Sequence, residues 1–424
     1  PPAQIPLRTG KQPRQLIIRD ELDQVADHDI ATGADRVRVA DLQRQSVQGE
    51  ADARRIEAEP AERGGIRSGA DAPMARRIAV SWSALGIALL LARQVMLSGP
   101  LSYALGDWAA PLGIEYRIDM ASALMLLIIT SIGALVTPFA LRSVEHELRP
   151  DSIGLFYTCY LLCLTGLLGI VVTGDTFNLF VFLEISSLSS YTLISMGRQR
   201  KALTASYQYL IMGSIGATFL LIGIGLVYVE TGTLNMLDLQ QRLHPILDHR
   251  TVHTGFAFIV VGIALKLALF PLHLWLPNAY AYAPSAVTAF LAATATKVAV
   301  YALLRFMLDI FGIDFSLGRM PLEYILLPVG VLGILSASLA AIYQVEVKRL
   351  LAYSSVAQIG YMVLGIGLAS TTGITGAILH LFNHALMKGA LFIALAAVAY
   401  RVGSTALQDL AGLGPRMPWT MFAI

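Results

Sequence analysis

Cysteine is almost missing from this chain, with two in 424 residues. Cys159 and Cys163 lie four apart in one apolar stretch, so they share a helix face as small hydrophobic side chains. Two soft ligands are too few for a structural zinc or an iron–sulfur cluster within the chain. Charged residues are scarce as well, at 14%, and the formal net charge is only +2. The basic residues of the apolar part are scattered through loops, so no nucleic-acid surface is expected. The glycine runs Gly223-Ile-Gly225 and Gly365-Ile-Gly367 have no phosphate-loop lysine nearby and read as close helix packing. With no dinucleotide fingerprint and no HExxH sequence, neither a catalytic redox site, a metal nor a cofactor is expected in this polypeptide.

Aromatic residues are absent from residues 1–73, which are rich in Arg, Asp, Glu, Ala and Gln. Such a segment buries too little apolar surface to offset its ordering entropy, so a disordered polar leader is expected there. No apolar core follows a basic start, which excludes a signal peptide. The chain begins with Pro1, and Met74 stands just before the first apolar run, so the leader is expected to be an artefact of the gene boundary.

Residues 74–424 are the reverse case. Hydrophobic residues make up 55% of the whole chain, and its mean hydropathy is +0.63. Runs of about 20 apolar residues, each long enough to cross a roughly 30 Å hydrocarbon core as a helix, recur from Ile78 onward. The spans are expected near 78–97, 120–141, 153–173, 177–196, 205–229, 255–276, 285–306, 322–343, 351–369 and 375–400, with another beginning at Trp419. The runs are continuous rather than alternating, which excludes a membrane barrel. The fold class is therefore all-α, a polytopic transmembrane bundle. Loops assigned to the side of Arg76 and Arg77 carry the excess of Arg and Lys, so that side is expected to be cytoplasmic. A cell inner membrane fits this orientation.

A few ionisable residues interrupt the apolar runs, and each costs roughly 2.5 to 3.5 kcal/mol at mid-depth unless it lines a polar interior. Lys266 lies mid-span, too far from the ends to snorkel, and Pro271 and Pro277 break the helix after it. Broken helices of this kind mark ion sites in transporters. Glu184 reads either as a hydrogen-bond partner of Ser186 or Ser187, or as the counter-ion of Lys266, and the second is favoured. Lys297, among small and hydroxylated residues, can pass a proton onward or merely donate to carbonyls of the broken helix. His380, His384 and Lys388 follow i, i+4, i+8 spacing with Asn383 beside them. Two histidines four apart can hold zinc, but no third ligand is evident, and a hydrated proton path is the better reading. His273 reads equally as an interfacial anchor or a secondary member of that path, while Asp119 and Asp175 read as ordinary interfacial acids.

At these residues the chain resembles a known family. The stretches Thr173 to Glu184, Leu265 to Pro277, Ala283 to Lys297, Lys348 to Ser355 and His380 to Lys388 are similar to the antiporter-like membrane subunits shared by Mrp-type cation/proton antiporters and respiratory complex I. The first stretch looks most like the Mrp D subunit. The resemblance implies about fourteen helices in two inverted repeats, each with a broken helix. It places Glu184 on the family's fifth helix, Lys266 on its broken seventh, Lys297 on its eighth, and His380, His384 and Lys388 on its eleventh. The chain stops as the family's broken twelfth helix begins, so a C-terminal truncation is expected, without the terminal lysine or glutamate.

The implied function is proton translocation within a multisubunit Na⁺/H⁺ antiporter, with other membrane subunits, the lipid bilayer, protons and a monovalent cation as partners. The alternative is a proton-pumping membrane subunit of NADH:quinone oxidoreductase or of a related membrane-bound hydrogenase.

Overall fold

The computed structural model describes residues 67–424, with side chains from Arg76 onward. Residues 1–66 of the expected leader lie outside the described residues. The first helix, α1, runs Arg67–Ser98 and so begins before Met74. A hairpin follows, β1 (Leu101–Ala104) antiparallel to β2 (Glu115–Ile118), with Leu101 opposite Ile118 and Ala104 opposite Glu115. Then come α2 (Met120–Glu147), α3 (Ile153–Val172), α4 (Thr176–Ser195), α5 (Lys201–Thr231), α6 (Met236–Leu243) and α7 (Arg250–Leu267). After a break the chain continues as α8 (Trp275–Tyr282), α9 (Ser285–Leu304), two π-helical turns to Arg319, α10 (Glu323–Ile342), α11 (Val347–Gly367), α12 (Thr371–Val402) and α13 (Pro418–Ala423).

Among the described residues, ten helices are long and apolar enough to cross a membrane. They correspond one to one with the ten spans expected from the sequence, with ends displaced by a few residues in all but the sixth. The protein is a multi-pass, all-α membrane protein. The sequence pattern read 255–276 as one span, whereas the helix stops at Leu267. Ala268 takes a left-handed conformation, with φ of 59°, and Pro271 brings no backbone donor. Only this first of the two helix breaks implied by the resemblance lies wholly among the described residues.

Backbone approach at glycine sets the packing. A Cβ on Gly262 of α7 would stand 2.6 Å from the Leu220 nitrogen and 2.7 Å from the Gly216 oxygen of α5. Gly166 brings α3 equally close to α4, where a Cβ would stand 2.6 Å from the Ser186 nitrogen, and Gly330 meets Gly360 between α10 and α11. With lipid as solvent, association rests on such close packing rather than on apolar burial. Gly262→Val should therefore push α7 off α5 and lower stability by about 2 kcal/mol, read as a lower unfolding temperature in detergent. In α9 every residue but Ala295 and Leu304 is buried, which marks it as the central helix. By contrast α1 and α10 are peripheral and expose Leu90, Leu97, Ile325 and Leu335.

Candidate functional site

Lys266 occupies the last turn of α7, where unpaired carbonyls give the helix end a partial negative charge that favours an ammonium. Its side chain is 5% exposed and its Nζ lies 2.8 Å from Glu184 Oε1 on α4, so the counter-ion reading is the one the geometry adopts. The same Nζ donates to Ser187 Oγ at 2.8 Å. Trp275 of α8 donates its Nε1–H to the Leu265 carbonyl at 3.1 Å, satisfying a group that the break would otherwise strand. Its ring stacks on Tyr209 of α5 at 3.9 Å. His273 lies within the break, is buried, stacks on Phe270, and among the described residues has no hydrogen-bond partner for Nδ1. It is thus enclosed by protein rather than set out as an exposed anchor.

A second group forms where α9, α11 and α12 meet. Gly389 of α12 lies against Ala293 of α9, which brings the faces of Lys297 and Lys388 together. Lys297 is wholly buried; its Nζ donates to the Ala292 carbonyl and reaches Thr296 Oγ1 at 3.4 Å. Among the described residues no carboxylate forms an ion pair with it. Lys388 donates to the Leu351 carbonyl at 2.8 Å and to Ser354 Oγ at 3.0 Å. The His380 and His384 rings stack in parallel with centroids 6.2 Å apart. His384 is wholly buried, and among the described residues neither ring nitrogen has a hydrogen-bond partner. Water ordinarily meets buried nitrogens of this kind. Asn383 is exposed on the outer flank of α12 and does not join this group.

Beside Lys266 lies a cavity of about 30 Å³, bounded by Ser187, Ser190 and Tyr209, by the apolar Leu167 and Leu183, and by Ala295 and Ala299 of α9. That volume holds about two waters. The Lys266 group therefore meets the helix that carries Lys297 across a small, mostly apolar space that a few hydroxyls also line, with Lys297 itself outside the lining.

Sequence reading missed an ionic clasp at the opposite end of α9. Arg305 pairs at 2.6 Å with both Asp119 and Asp309, and its Nε donates to Tyr301 Oη at 2.8 Å. Burial works against the Asp119 carboxylate, but the hydrogen bond and charge of Arg305 outweigh it and hold the group below the usual range. Asp175 is different. It caps α4 by accepting from the Asn178 nitrogen at 2.7 Å, and burial pushes it above the usual carboxylate range. A polar cavity of about 200 Å³, lined by Glu115, Arg117, Asp119, Arg305 and Asp309, adjoins the clasp. The partners stand 186 positions apart in sequence, and only the i, i+4 spacing of Tyr301, Arg305 and Asp309 gave a local sign of it.

Residues 173–424 match the family described as NADH:quinone oxidoreductase/Mrp antiporter, TM. The chain is 41% identical over 337 residues to a protein named NADH-quinone oxidoreductase subunit N from Desulforudis audaxviator, covering 79% of this chain and 66% of the relative. It is 33% identical to the D subunit of a Na(+)/H(+) antiporter from Alkalihalophilus pseudofirmus, covering 78% of this chain and 66% of that protein. The chain thus spans just under two thirds of the length of these relatives. Among solved structures, a chain of the membrane-bound sulfane sulfur reductase, an archaeal respiratory membrane complex, superposes with a TM-score of 0.77 at 34% identity, covering 82% of this chain and 70% of that one. A chain of the Mrp complex from a Dietzia species gives 0.74 at 31%, covering 82% and 63%.

Proposed function

The chain belongs to the NADH:quinone oxidoreductase/Mrp antiporter transmembrane family, and from that premise we propose that it is a proton-translocating subunit of a multisubunit membrane complex. The observation that carries this reading is the burial of Lys266, Lys297, His384 and Lys388 inside the bundle, exposed by 7%, 0%, 0% and 1%. Four ionisable groups enclosed in protein at membrane depth have a use when protons step between them through hydroxyls and water. A proton arriving at the Glu184–Lys266 pair weakens it, since a neutral carboxyl no longer holds the ammonium. The released charge favours transfer across the small cavity toward α9, and Lys297 then passes a proton to the His384 and Lys388 face. His380 and His273 serve as secondary members, while Asn383, exposed away from the group, takes no part.

In the first reading, partner subunits couple this flow to export of Na⁺ or another monovalent cation across a cell inner membrane. Likeness to the antiporter D subunit and to the Mrp complex supports it. The second reading is a proton-pumping subunit of an NADH:quinone oxidoreductase or related respiratory complex, supported by the 41% identity to the Desulforudis protein. Everted vesicles carrying the native complex separate the two. An antiporter subunit should let added Na⁺ discharge a preformed proton gradient without any reductant, whereas a respiratory subunit should acidify the lumen only while its electron donor is oxidised. Insensitivity of both fluxes to loss of Lys266 would overturn proton translocation by this chain.

A further inference from the structure

We propose that Tyr191 is a proton-path residue, delivering protons along α4 from its Ser195 end to the Glu184–Lys266 pair; this rests on the proton-translocation reading above. Glu184, Ser187 and Tyr191 follow i, i+3, i+7 spacing and so share one face of α4. This part of α4 is rich in serines, and they behave differently. Ser186 donates to the Leu183 carbonyl, Ser189 to Ile185 and Ser190 to Ser186, each closing a bond within its own helix. Ser187 makes no such bond. Its Oγ accepts from Lys266 Nζ, which leaves its own proton free to be given away.

One turn further, Tyr191 is 5% exposed, and among the described residues its hydroxyl makes no hydrogen bond of good geometry, although the Ser187 side chain is a polar neighbour. A buried phenol without a partner is an expensive arrangement for a residue that only fills space, because phenylalanine would fill the same volume with no stranded group. The neighbouring helix is shaped around that hydroxyl. A Cβ on Gly213 of α5 would overlap it and would lie 3.0 Å from Cζ. The ring is held edge-on against Tyr209 at 4.7 Å, and Tyr209 also lines the small cavity beside Lys266.

The step balances without any co-reactant. A proton from the Ser195 end binds the phenol oxygen as the phenol proton passes, directly when the two hydroxyls close or through one water, to Ser187 Oγ, whose own proton passes to the Glu184 carboxylate that shares the Lys266 ammonium with it. Both hydroxyls finish as they began, Glu184 gains one proton, and Lys266 loses its counter-charge.

Tyr191→Phe in the native complex tests this by two readouts, proton flux in everted vesicles and unfolding temperature of the purified complex. The expected result is flux lowered at least about tenfold with the unfolding temperature nearly unchanged, since the variant removes no hydrogen bond of good geometry among the described residues. Gly213→Ala, which displaces the hydroxyl without removing it, should lower flux in the same direction; if it fails to fold, Tyr191→Phe decides. Retention of more than half the flux in Tyr191→Phe, or a loss that tracks falling stability, would overturn the proposal. Lys266→Ala is run beside it: if that variant also keeps full flux, the failure belongs to proton translocation as a whole and not to the route through Tyr191.

Discussion

Lys266→Met should reduce proton flux at least about a hundredfold and lower stability by about 3 kcal/mol, and Glu184→Gln should do nearly the same to both. Combining the two should bring stability back to within about 1 kcal/mol of the parent while leaving flux abolished. The sign of the single changes follows from burial: the pair meets at 2.8 Å with the lysine 5% and the acid 24% exposed, so removal of either partner strands a charge in the bundle. Replacing both leaves a neutral contact with no buried charge to strand. Chemical denaturation of the purified complex gives the coupling energy, and vesicle acidification gives the flux. A double variant that recovers transport along with stability would show that the pair only braces the helix break.

The reason this pair was legible in the sequence is that its cost is local. A lysine or glutamate in a run of about 20 apolar residues stands out whatever surrounds it, and so do prolines that end a helix there. The expected spans and the observed helices agree for the same reason, since the hydrocarbon thickness imposes their length. What the sequence could not provide was the direction of each side chain. Asn383 shares a helix with His384 and Lys388, yet it faces outward, because 383 lies about 100° around the helix from 384 and falls on the flank. The Arg305 clasp joins residues on α2 and just past α9, and nothing in their separate neighbourhoods marks them as partners. Hydroxyls were hardest to weigh. Ser187 differs from Ser186, Ser189 and Ser190 in bonding to Lys266 instead of to a carbonyl of its own helix, which is a property of packing and not of residue type.

Lys297→Met should abolish flux as completely as Lys266→Met but move stability the other way, leaving it unchanged or raising it by about 1 kcal/mol. The two lysines lie in opposite circumstances. Lys266 has a carboxylate, a serine and a helix C-terminus to receive its charge, while Lys297 has a carbonyl of its own helix, a threonine hydroxyl at 3.4 Å and no ion pair among the described residues. Met fills the same buried slot without a polar end to satisfy. A lysine so placed at the centre of the most enclosed helix gains little stability from its charge, which is what the proposed proton-transfer role would lead one to expect. Flux and unfolding temperature measured on one preparation decide the matter. If Lys297→Met loses stability by several degrees, the ammonium is a structural donor and the proton route must pass it by. If it keeps both stability and flux, the two buried groups work independently and transfer across the small cavity does not occur.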